Sequence, residues 1–301
     1  MKIVEVGPRD GLQNETATVP TAAKVAFVDA LSSSGVSEIE VSAFVSPRKV
    51  PQLGDAAEVF QRIRREGGVT YSALVPNQRG LDRALAAGVD KVSVFTAASE
   101  TFNRRNINTS IAGSLKRLQP AVRRAVQAGI PVRGYLSTAF WCAFEGKIAP
   151  EAAVTVAESL ISIGVDEVSI SDTIGKATPS EVACLLDQLL PKIPADRIAV
   201  HFHDTYGRGV ANTLKSWEYG IRIFDASVGG IGGCPFAPGA TGNVATEAVV
   251  AALVRKGVAF RDAHEIVGRA VDAQARGKPL QVLGEPGGGI QEVSLGVDRR
   301  D

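Results

Sequence analysis

The chain has few of the residues that would define a disulfide scaffold or a strongly charged surface. Its 301 residues include only three cysteines, and its net charge is +1. The cysteines are an odd number and lie far apart in the sequence, at Cys142, Cys184 and Cys234. This pattern argues against a disulfide framework and favours a reducing compartment. The nearly balanced charge excludes bulk electrostatic attraction to nucleic acid or to an anionic membrane surface.

Long apolar runs are also lacking. No run approaches the roughly 18 residues that a membrane helix needs. Lys2 and Glu5 interrupt the first residues, where a signal sequence would carry an apolar segment. These features predict a cytoplasmic protein that binds neither nucleic acid nor a membrane.

A repeated unit organises the chain, in which a helical segment ends in glycine and a run rich in Val and Ile follows. Six such glycines occur: Gly35, Gly68, Gly88, Gly129, Gly164 and Gly220. Glycine suits the left-handed position that closes a helix, and the apolar run suits a buried parallel strand. Residues 2–6 and 198–203 are two further predicted strands, which makes eight.

Segments with helical spacing separate the predicted strands, for example residues 21–34 and 151–163. Eight strands that alternate with helices favour an α/β fold closed as a TIM (β/α)8 barrel, with an open doubly wound sheet as the alternative. After the eighth strand we expect a glycine-rich loop, a helix over residues 243–255 and a helical stretch over 262–276. Residues 1–301 are therefore predicted to form one domain, with 243–285 as a C-terminal helical extension.

Charged residues stand where predicted barrel strands end. Arg9 and Asp10 follow the first strand, Glu40 lies in the second, and His201 and His203 end the seventh. Residues two apart in a strand point to the same side, so both imidazoles face one ligand if the strand is regular. Two imidazoles and a carboxylate suit a divalent ion, which Asn243 would complete with a neutral oxygen.

Each of these residues also has an ordinary structural interpretation. The histidines are equally compatible with a strand that binds no metal, and Asp10 with a helix cap or a salt bridge to Arg9. In a catalytic site, Arg9 would stabilise a developing oxyanion. Glu40 and Asp172 would then orient the arginine or a histidine.

The glycine-rich loop, residues 229–243, contains Cys234. So many glycines indicate a loop that closes over a ligand. Its thiol is a candidate acid, base or nucleophile, and the alternative is a small buried thiol without a chemical role.

Six segments together resemble the 3-hydroxy-3-methylglutaryl-CoA lyase family. In chain order they are EVGPRDGLQNE, SAFVSPRKVPQLGD, VFTAASETFNRRNIN, SDTIG, HFHDTYG and GGCPFAPGATGNVATE. The resemblance runs from about residue 3 to residue 285, and six motifs in the right order are far more specific than any one of them.

The resemblance implies a metal-dependent TIM barrel that cleaves hydroxymethylglutaryl-CoA to acetyl-CoA and acetoacetate, commonly as a homodimer. The implied ligands of Mg²⁺ or Mn²⁺ are Asp10, His201, His203 and Asn243. The implied catalytic residues are Arg9, Asp10, Glu40, His201 and Cys234. Arg9 would neutralise the thioester enolate, Cys234 would serve acid and base chemistry, and Asp10 and His201 both remain candidates for the base.

The acyl-CoA substrate itself leaves two questions. Four cations lie in the predicted loops after strands two and four: Arg48, Lys49, Arg104 and Arg105. They either bind the CoA phosphates or are simply solvated surface charges. Residues 140 and 141, Phe-Trp, are bulkier than the family pattern, and a different acyl group is expected if they line the pocket.

Three other functions compete with this interpretation. The first is a lyase for a related 3-hydroxyacyl-CoA such as citramalyl-CoA. The second is a Claisen-type synthase, disfavoured because the chain has RDGLQ and GGCPFAPG in place of the motifs expected there. The third is a non-catalytic barrel that binds acyl-CoA or metal, which would have no need of Arg9 and Cys234.

Overall fold

Eight parallel strands close on themselves in the structure, a computed structural model that describes residues 1–233 and 242–257. The barrel strands are β1 (Lys2–Glu5), β2 (Glu38–Ala43), β3 (Thr70–Leu74), β4 (Lys91–Ala97), β5 (Val132–Ser137), β8 (Glu167–Asp172), β9 (Ile198–Phe202) and β10 (Ile223–Ala226). Strand β1 pairs with both β2 and β10, so the sheet has no edge. The barrel prediction is confirmed, and the open-sheet alternative is wrong. A short antiparallel hairpin, β6 (Trp141–Cys142) and β7 (Gly146–Lys147), follows β5.

Nine helices are described. They are α1 (Thr21–Ser32), α2 (Ala56–Arg62), α3 (Gln78–Ala86), α4 (Glu100–Ile107), α5 (Ile111–Gln127), α6 (Pro150–Ser162), α7 (Pro179–Leu189), α8 (Gly209–Glu218) and α9 (Thr246–Arg255) within the described ranges. The six glycines of the repeat all adopt positive φ angles, between 71° and 107°, at the turns that lead into the next strand. None of the helices in the described ranges combines the length and the hydropathy of a membrane span.

The last described helix begins later than predicted. Asn243 forms a bridge with His203, and Ala245 forms one with Ser227, so residues 243–245 are tied to the barrel before α9 starts at Thr246. The predicted helical stretch over 262–276 lies outside the described residues. The single-domain boundary of 1–301 therefore stays a prediction.

Polar and apolar side chains alternate along the strands, as β2 illustrates. Ile39 and Val41 belong to the apolar core, whereas Glu38 and Glu40 alternate with them and are equally buried. Because successive side chains point to opposite faces, the apolar set packs under the helices and the polar set faces the barrel interior. The interior of this barrel therefore contains buried charged side chains.

Candidate active site

Arg9 and Asp10 stand at the end of β1, in a single π-helical turn, Gly7–Gly11. The carbonyl oxygen of Val6 accepts hydrogen bonds from the backbone N–H groups of Arg9, Asp10 and Gly11, at 3.1, 2.7 and 3.3 Å. This tight turn places both side chains at the C-terminal mouth of the barrel, where active sites of this fold lie. The predicted location of the two residues is therefore confirmed.

Asp10, His201 and His203 meet at this mouth and can each offer one ligand atom within 4.8 Å of the others. The Nε2 atoms of both histidines lie 3.9 Å from Oδ2 of Asp10. Nδ1 of His203 is buried and has no hydrogen-bond partner among the described residues. Two imidazoles and a carboxylate converging in this way form a donor set that suits a divalent metal ion. We call these three residues the ligand triad.

The protonation states of the triad also suit a metal ion. Burial and the neighbouring His201 lower the pKa of His203 to about 4, although Asp10 opposes the shift. Burial alone would raise the pKa of Asp10, but Arg9, the two histidines and a hydrogen bond from Asn243 hold it well below its usual range. At neutral pH the triad therefore offers a carboxylate and a neutral His203, the forms that coordinate metals.

Asn243 lies beside the triad and is buried. Its Nδ2 donates to Oδ2 of Asp10 at 3.0 Å and to the carbonyl oxygen of Ile231 at 3.2 Å. The structure thus brings the fourth predicted ligand to the site, with its amide nitrogen toward Asp10. Coordination through its amide oxygen stays a prediction.

Arg9 is held by two carboxylates. Its Nε lies 2.5 Å from Oε2 of Glu40, and its Nη1 lies 2.5 Å from Oδ1 of Asp10. Burial would lower the pKa of Arg9, but Glu40 and Asp10 raise it well above its usual range, so the guanidinium stays charged. Of the two partners considered for Glu40, an arginine or a histidine, it contacts the arginine, and Asp10 joins both the salt bridge and the ligand triad.

Asp172 accepts no hydrogen bond from a histidine or an arginine among the described residues, so an orienting role for it stays a prediction. Its two carboxylate oxygens accept the backbone N–H groups of Lys176 and Ala177, at 3.1 and 2.9 Å. Burial raises its pKa to about 7. Asp172 therefore shapes the loop that leads to α7.

The residue that contacts His201 is Asp225, which the sequence reasoning missed. Oδ2 of Asp225 lies 3.2 Å from Nδ1 of His201. Tyr135 was also missed: its hydroxyl donates to Oε2 of Glu40 at 3.1 Å, and its ring lies 5.2 Å from the Arg9 guanidinium. A carboxylate in the apolar run of β10 and the Arg-Gly-Tyr sequence in β5 were the available signals, since both break an otherwise apolar strand.

The predicted CoA-binding cations are distributed over two segments. Arg48 and Lys49 are exposed after β2, as expected. Arg104 and Arg105 are exposed on α4 and not in a loop, because Ser99 caps a helix there by accepting the backbone N–H of Phe102. Arg105 lies 4.2 Å from the ring of Phe144.

Cys234 and most of the glycine-rich loop lie outside the described residues.

Phe140 and Trp141, the bulky pair, make contacts that account for both side chains. Phe140 is buried in the core, with its ring centroid 6.2 Å from that of Phe202. Trp141 is half-buried, donates its Nε1–H to Glu181 at 3.2 Å and carries Nζ of Lys176 at 3.9 Å from its ring centroid. Both residues therefore have packing roles.

Comparison with known proteins identifies the family. A family model described as HMGL-like matches residues 1–272. The chain belongs to the HMGL-like family. Two similar relatives of this HMGL-like chain are the cytoplasmic 3-hydroxy-3-methylglutaryl-CoA lyase of Rattus norvegicus and the mitochondrial hydroxymethylglutaryl-CoA lyase of Bos taurus. The first is 49% identical over 250 residues, covering 83% of this chain and 73% of the relative. The second is 48% identical over 258 residues, covering 86% and 79%.

The HMGL-like barrel is also similar to a solved structure, the HMG-CoA lyase from Brucella melitensis. The two share 48% sequence identity with a TM-score of 0.84, covering 91% of this chain and 98% of the other. Fold and sequence thus agree over nearly the whole chain.

Proposed function

We propose that the protein is a carbon-carbon lyase that cleaves 3-hydroxy-3-methylglutaryl-CoA to acetyl-CoA and acetoacetate. The observation that carries the proposal is the contact between Arg9 and Asp10, which joins a fixed positive charge to the ligand triad. Cleavage of this thioester develops negative charge in two places, on the substrate hydroxyl and on the thioester oxygen. A site with a metal-binding set beside a buried guanidinium can stabilise both.

Asp10, His201 and His203 would hold a divalent ion, Mg²⁺ or Mn²⁺, with Asn243 as a fourth ligand. The ion would supply Lewis-acid stabilisation of negative charge on substrate oxygens. The approach of both histidine Nε2 atoms to an ionised Asp10 fits this assignment.

The protein's own residues account for the proton and charge movements of a retro-aldol cleavage. A base removes the proton of the tertiary hydroxyl, the electrons of that O–H bond form the ketone of acetoacetate, and the adjacent C–C bond breaks. Its electron pair moves into the thioester, where Arg9 neutralises the enolate oxygen. Protonation of the enolate carbon then yields acetyl-CoA, a step we assign to Cys234. The base is Asp10 or His201, and both lie at the mouth of the barrel.

Glu40 acts through Arg9, since it binds the guanidinium and has no exposed side-chain surface. We assign the CoA phosphates to Arg48, Lys49, Arg104 and Arg105, which are exposed cations after β2 and on α4. We also propose that the protein is a homodimer and that it is located in the cytoplasm. Direct localisation of the protein tests the compartment, since one similar relative is named for the cytoplasm and another for mitochondria.

The lyase assignment is tested by measuring acetoacetate release from hydroxymethylglutaryl-CoA with Mn²⁺ or Mg²⁺. Wild type should be active, and Arg9→Gln should lose activity by about two to three orders of magnitude, as for other lost oxyanion donors. Arg62→Gln is the matched control, because Arg62 is an exposed arginine that pairs with Glu58 on α2. The control should retain full activity.

A panel with citramalyl-CoA and other 3-hydroxyacyl-CoA thioesters separates the alternatives. Preference for another thioester would replace the substrate but keep the lyase, and condensation of acetyl-CoA with a keto acid would indicate a synthase. Metal binding without turnover of any of them would overturn the enzyme assignment.

The metal assignment is tested by titrating Mn²⁺ into the metal-free protein in a calorimeter. His203→Ala should lose most of the affinity, whereas Asp196→Asn, an exposed position before β9, should bind as wild type does. Unchanged binding by His203→Ala would refute its role as a ligand.

A further inference from the structure

Six alternating charges run through the barrel interior from its N-terminal end to the ligand triad. In order of contact they are Lys2, Glu38, Lys91, Glu167, Arg133 and Asp225, which we call the charge column. Measured contacts include Lys91 Nζ to Glu38 Oε2 at 3.2 Å and Arg133 Nη2 to Asp225 Oδ1 at 2.7 Å. Three cations balance three anions, so the column needs no charge from His201 for neutrality.

Asp225 is the end of the column that touches the ligand triad, and each of its oxygens has its own partners. Oδ1 binds Arg133, whose side chain is fully buried. Oδ2 accepts the hydroxyl of Ser169 at 3.0 Å and lies 3.2 Å from Nδ1 of His201. Oδ1 thus faces a guanidinium and Oδ2 faces the Ser169 hydroxyl, so both oxygens of the Asp225 carboxylate are placed as hydrogen-bond acceptors.

The geometry around His201 selects one tautomer. With the proton on Nδ1, the ring donates to Asp225 and turns the lone pair of Nε2 toward Asp10. With the proton on Nε2, the Nδ1 lone pair would face an anionic oxygen at 3.2 Å, and the Nε2–H would face Asp10 Oδ2 at 3.9 Å, too far for a hydrogen bond. The first arrangement gives Nδ1–H an acceptor and leaves the Nε2 lone pair free to coordinate a metal ion.

We infer that Asp225, itself held by Arg133, is a positioning residue that fixes His201 in the Nδ1–H tautomer and presents its Nε2 lone pair to the ligand triad. The inference deepens the proposed function, because it concerns the same metal site. Partners that orient a metal-binding histidine typically change metal affinity or activity by about 10- to 100-fold. Neither Arg133 nor Asp225 needs to touch substrate for this effect.

The tautomer can be read directly by ¹⁵N NMR of metal-free protein labelled at histidine. The chain has three histidines, so His201→Gln assigns its signals by elimination. In its neutral form, His201 of the wild type should carry its proton on Nδ1 and not on Nε2. A predominant Nε2–H form in wild type would overturn the inference, whatever the enzyme's activity.

Metal affinity provides the second readout. Asp225→Asn should weaken Mn²⁺ binding by about 10- to 100-fold in calorimetry. Ser169→Ala is the matched control: it removes a neutral hydrogen bond to the same Oδ2 and should change affinity by less than about threefold. In a His201→Gln background, Asp225→Asn should cause no further loss, because it acts through that ring.

Asp225→Asn leaves the fully buried Arg133 with Glu167, which it shares with Lys91, as its remaining ion-pair partner, and is at risk of misfolding. The double variant Arg133→Met with Asp225→Asn removes one charge of each sign and leaves Glu167 paired with Lys91. It should fold and show the same loss of metal affinity. Wild-type affinity in either folded variant would overturn the inference, whereas a normal tautomer without acetoacetate release would overturn the lyase proposal alone.

Discussion

The guanidinium of Arg9 lies 2.5 Å from Oε2 of Glu40, and the same Glu40 oxygen accepts the hydroxyl of Tyr135 at 3.1 Å. Glu40 has no exposed side-chain surface, so water cannot replace it as the partner of Arg9. Arg9 in turn binds Asp10 through Nη1. The charge proposed to receive the enolate is therefore held in place before substrate arrives.

Glu40→Gln should damage both stability and catalysis. Removing one partner of a buried ion pair typically costs about 3–5 kcal/mol of folding stability. Without the Glu40 carboxylate, the Arg9 guanidinium would also lose the contact that fixes its position in the site. We expect a lower urea midpoint and a fall in kcat that exceeds any rise in KM. Parallel denaturation and steady-state assays measure the two effects.

Tyr135→Phe is the control for the Glu40 experiment. It removes the second hydrogen bond to the same oxygen but no charge, and should cost only about 1 kcal/mol. An equal loss of kcat in Tyr135→Phe and Glu40→Gln would show that the ion pair has no special role.

Glu5 should make the folded protein less stable as pH rises toward neutrality. Burial raises its pKa from 4.5 to about 7, despite hydrogen bonds from Thr246, Gly7 and Val228. Between these two values the folded state keeps a proton that the unfolded state releases, so stability falls as pH rises through this window, by about 3 kcal/mol in total. Urea denaturation of metal-free protein at pH 4.5, 6 and 7.5 measures the slope.

Glu5→Gln should remove this contribution. Any loss from altered hydrogen bonds lowers the free energy of unfolding of this variant by the same amount at every pH. The difference between variant and wild type should nevertheless shift by about 3 kcal/mol in favour of the variant from the acidic to the neutral end of the series. Glu58→Gln, at an exposed position in α2, should keep the wild-type slope. A parallel pH series for Glu5→Gln and wild type would contradict the assignment.

Patterns that repeat along the chain predicted the barrel and the meeting of Asp10 with the two histidines. Six glycines before six apolar runs and the H-x-H spacing each follow from local backbone geometry, which a sequence displays directly. The partners inside the barrel did not follow in the same way. Asp225 reaches His201 only because β9 and β10 pair with Asp225 beside His201 in register, and register between strands is not written in either strand alone.

Helix boundaries also depend on contacts that the local sequence does not reveal. The sequence predicts Arg104 in a loop after the fourth strand, yet the Ser99 cap starts α4 soon after β4 ends. The start of α9 was placed too early, since Asn243 is drawn into a bridge with His203, a residue 40 positions away in sequence. Local propensity alone does not contain a tertiary contact of that kind.

Phe140→Ala should destabilise the protein without changing substrate preference. Phe140 is buried against Phe202, so its truncation leaves a cavity that typically costs about 3–5 kcal/mol. Urea denaturation measures the loss, and the ratio of kcat/KM for hydroxymethylglutaryl-CoA and citramalyl-CoA measures preference. Trp141→Phe is the milder control, because it removes the hydrogen bond to Glu181 and part of the ring beside Lys176 but keeps an aromatic side chain. A tenfold change in the ratio with normal stability would assign Phe140 to the pocket.

Gly232→Ala should weaken metal binding by displacing Asn243. A Cβ at Gly232 would lie 2.6 Å from Nδ2 of Asn243, and the φ of 132° is one that side-chain-bearing residues rarely adopt. We expect Asn243 to shift from Asp10 and Mn²⁺ affinity to fall by about tenfold, in line with the loss of an orienting contact. Calorimetry on the folded variant measures the change.

Gly129→Ala separates backbone strain from displacement of Asn243. Gly129 has a φ of 71°, and a Cβ there would meet nothing within 4 Å. Both variants introduce a strained backbone, so both should lose stability, but only Gly232→Ala pushes on a residue of the site. Gly129→Ala should therefore bind Mn²⁺ as wild type does, and equal affinities in the two variants would mean that Asn243 contributes nothing to the metal site.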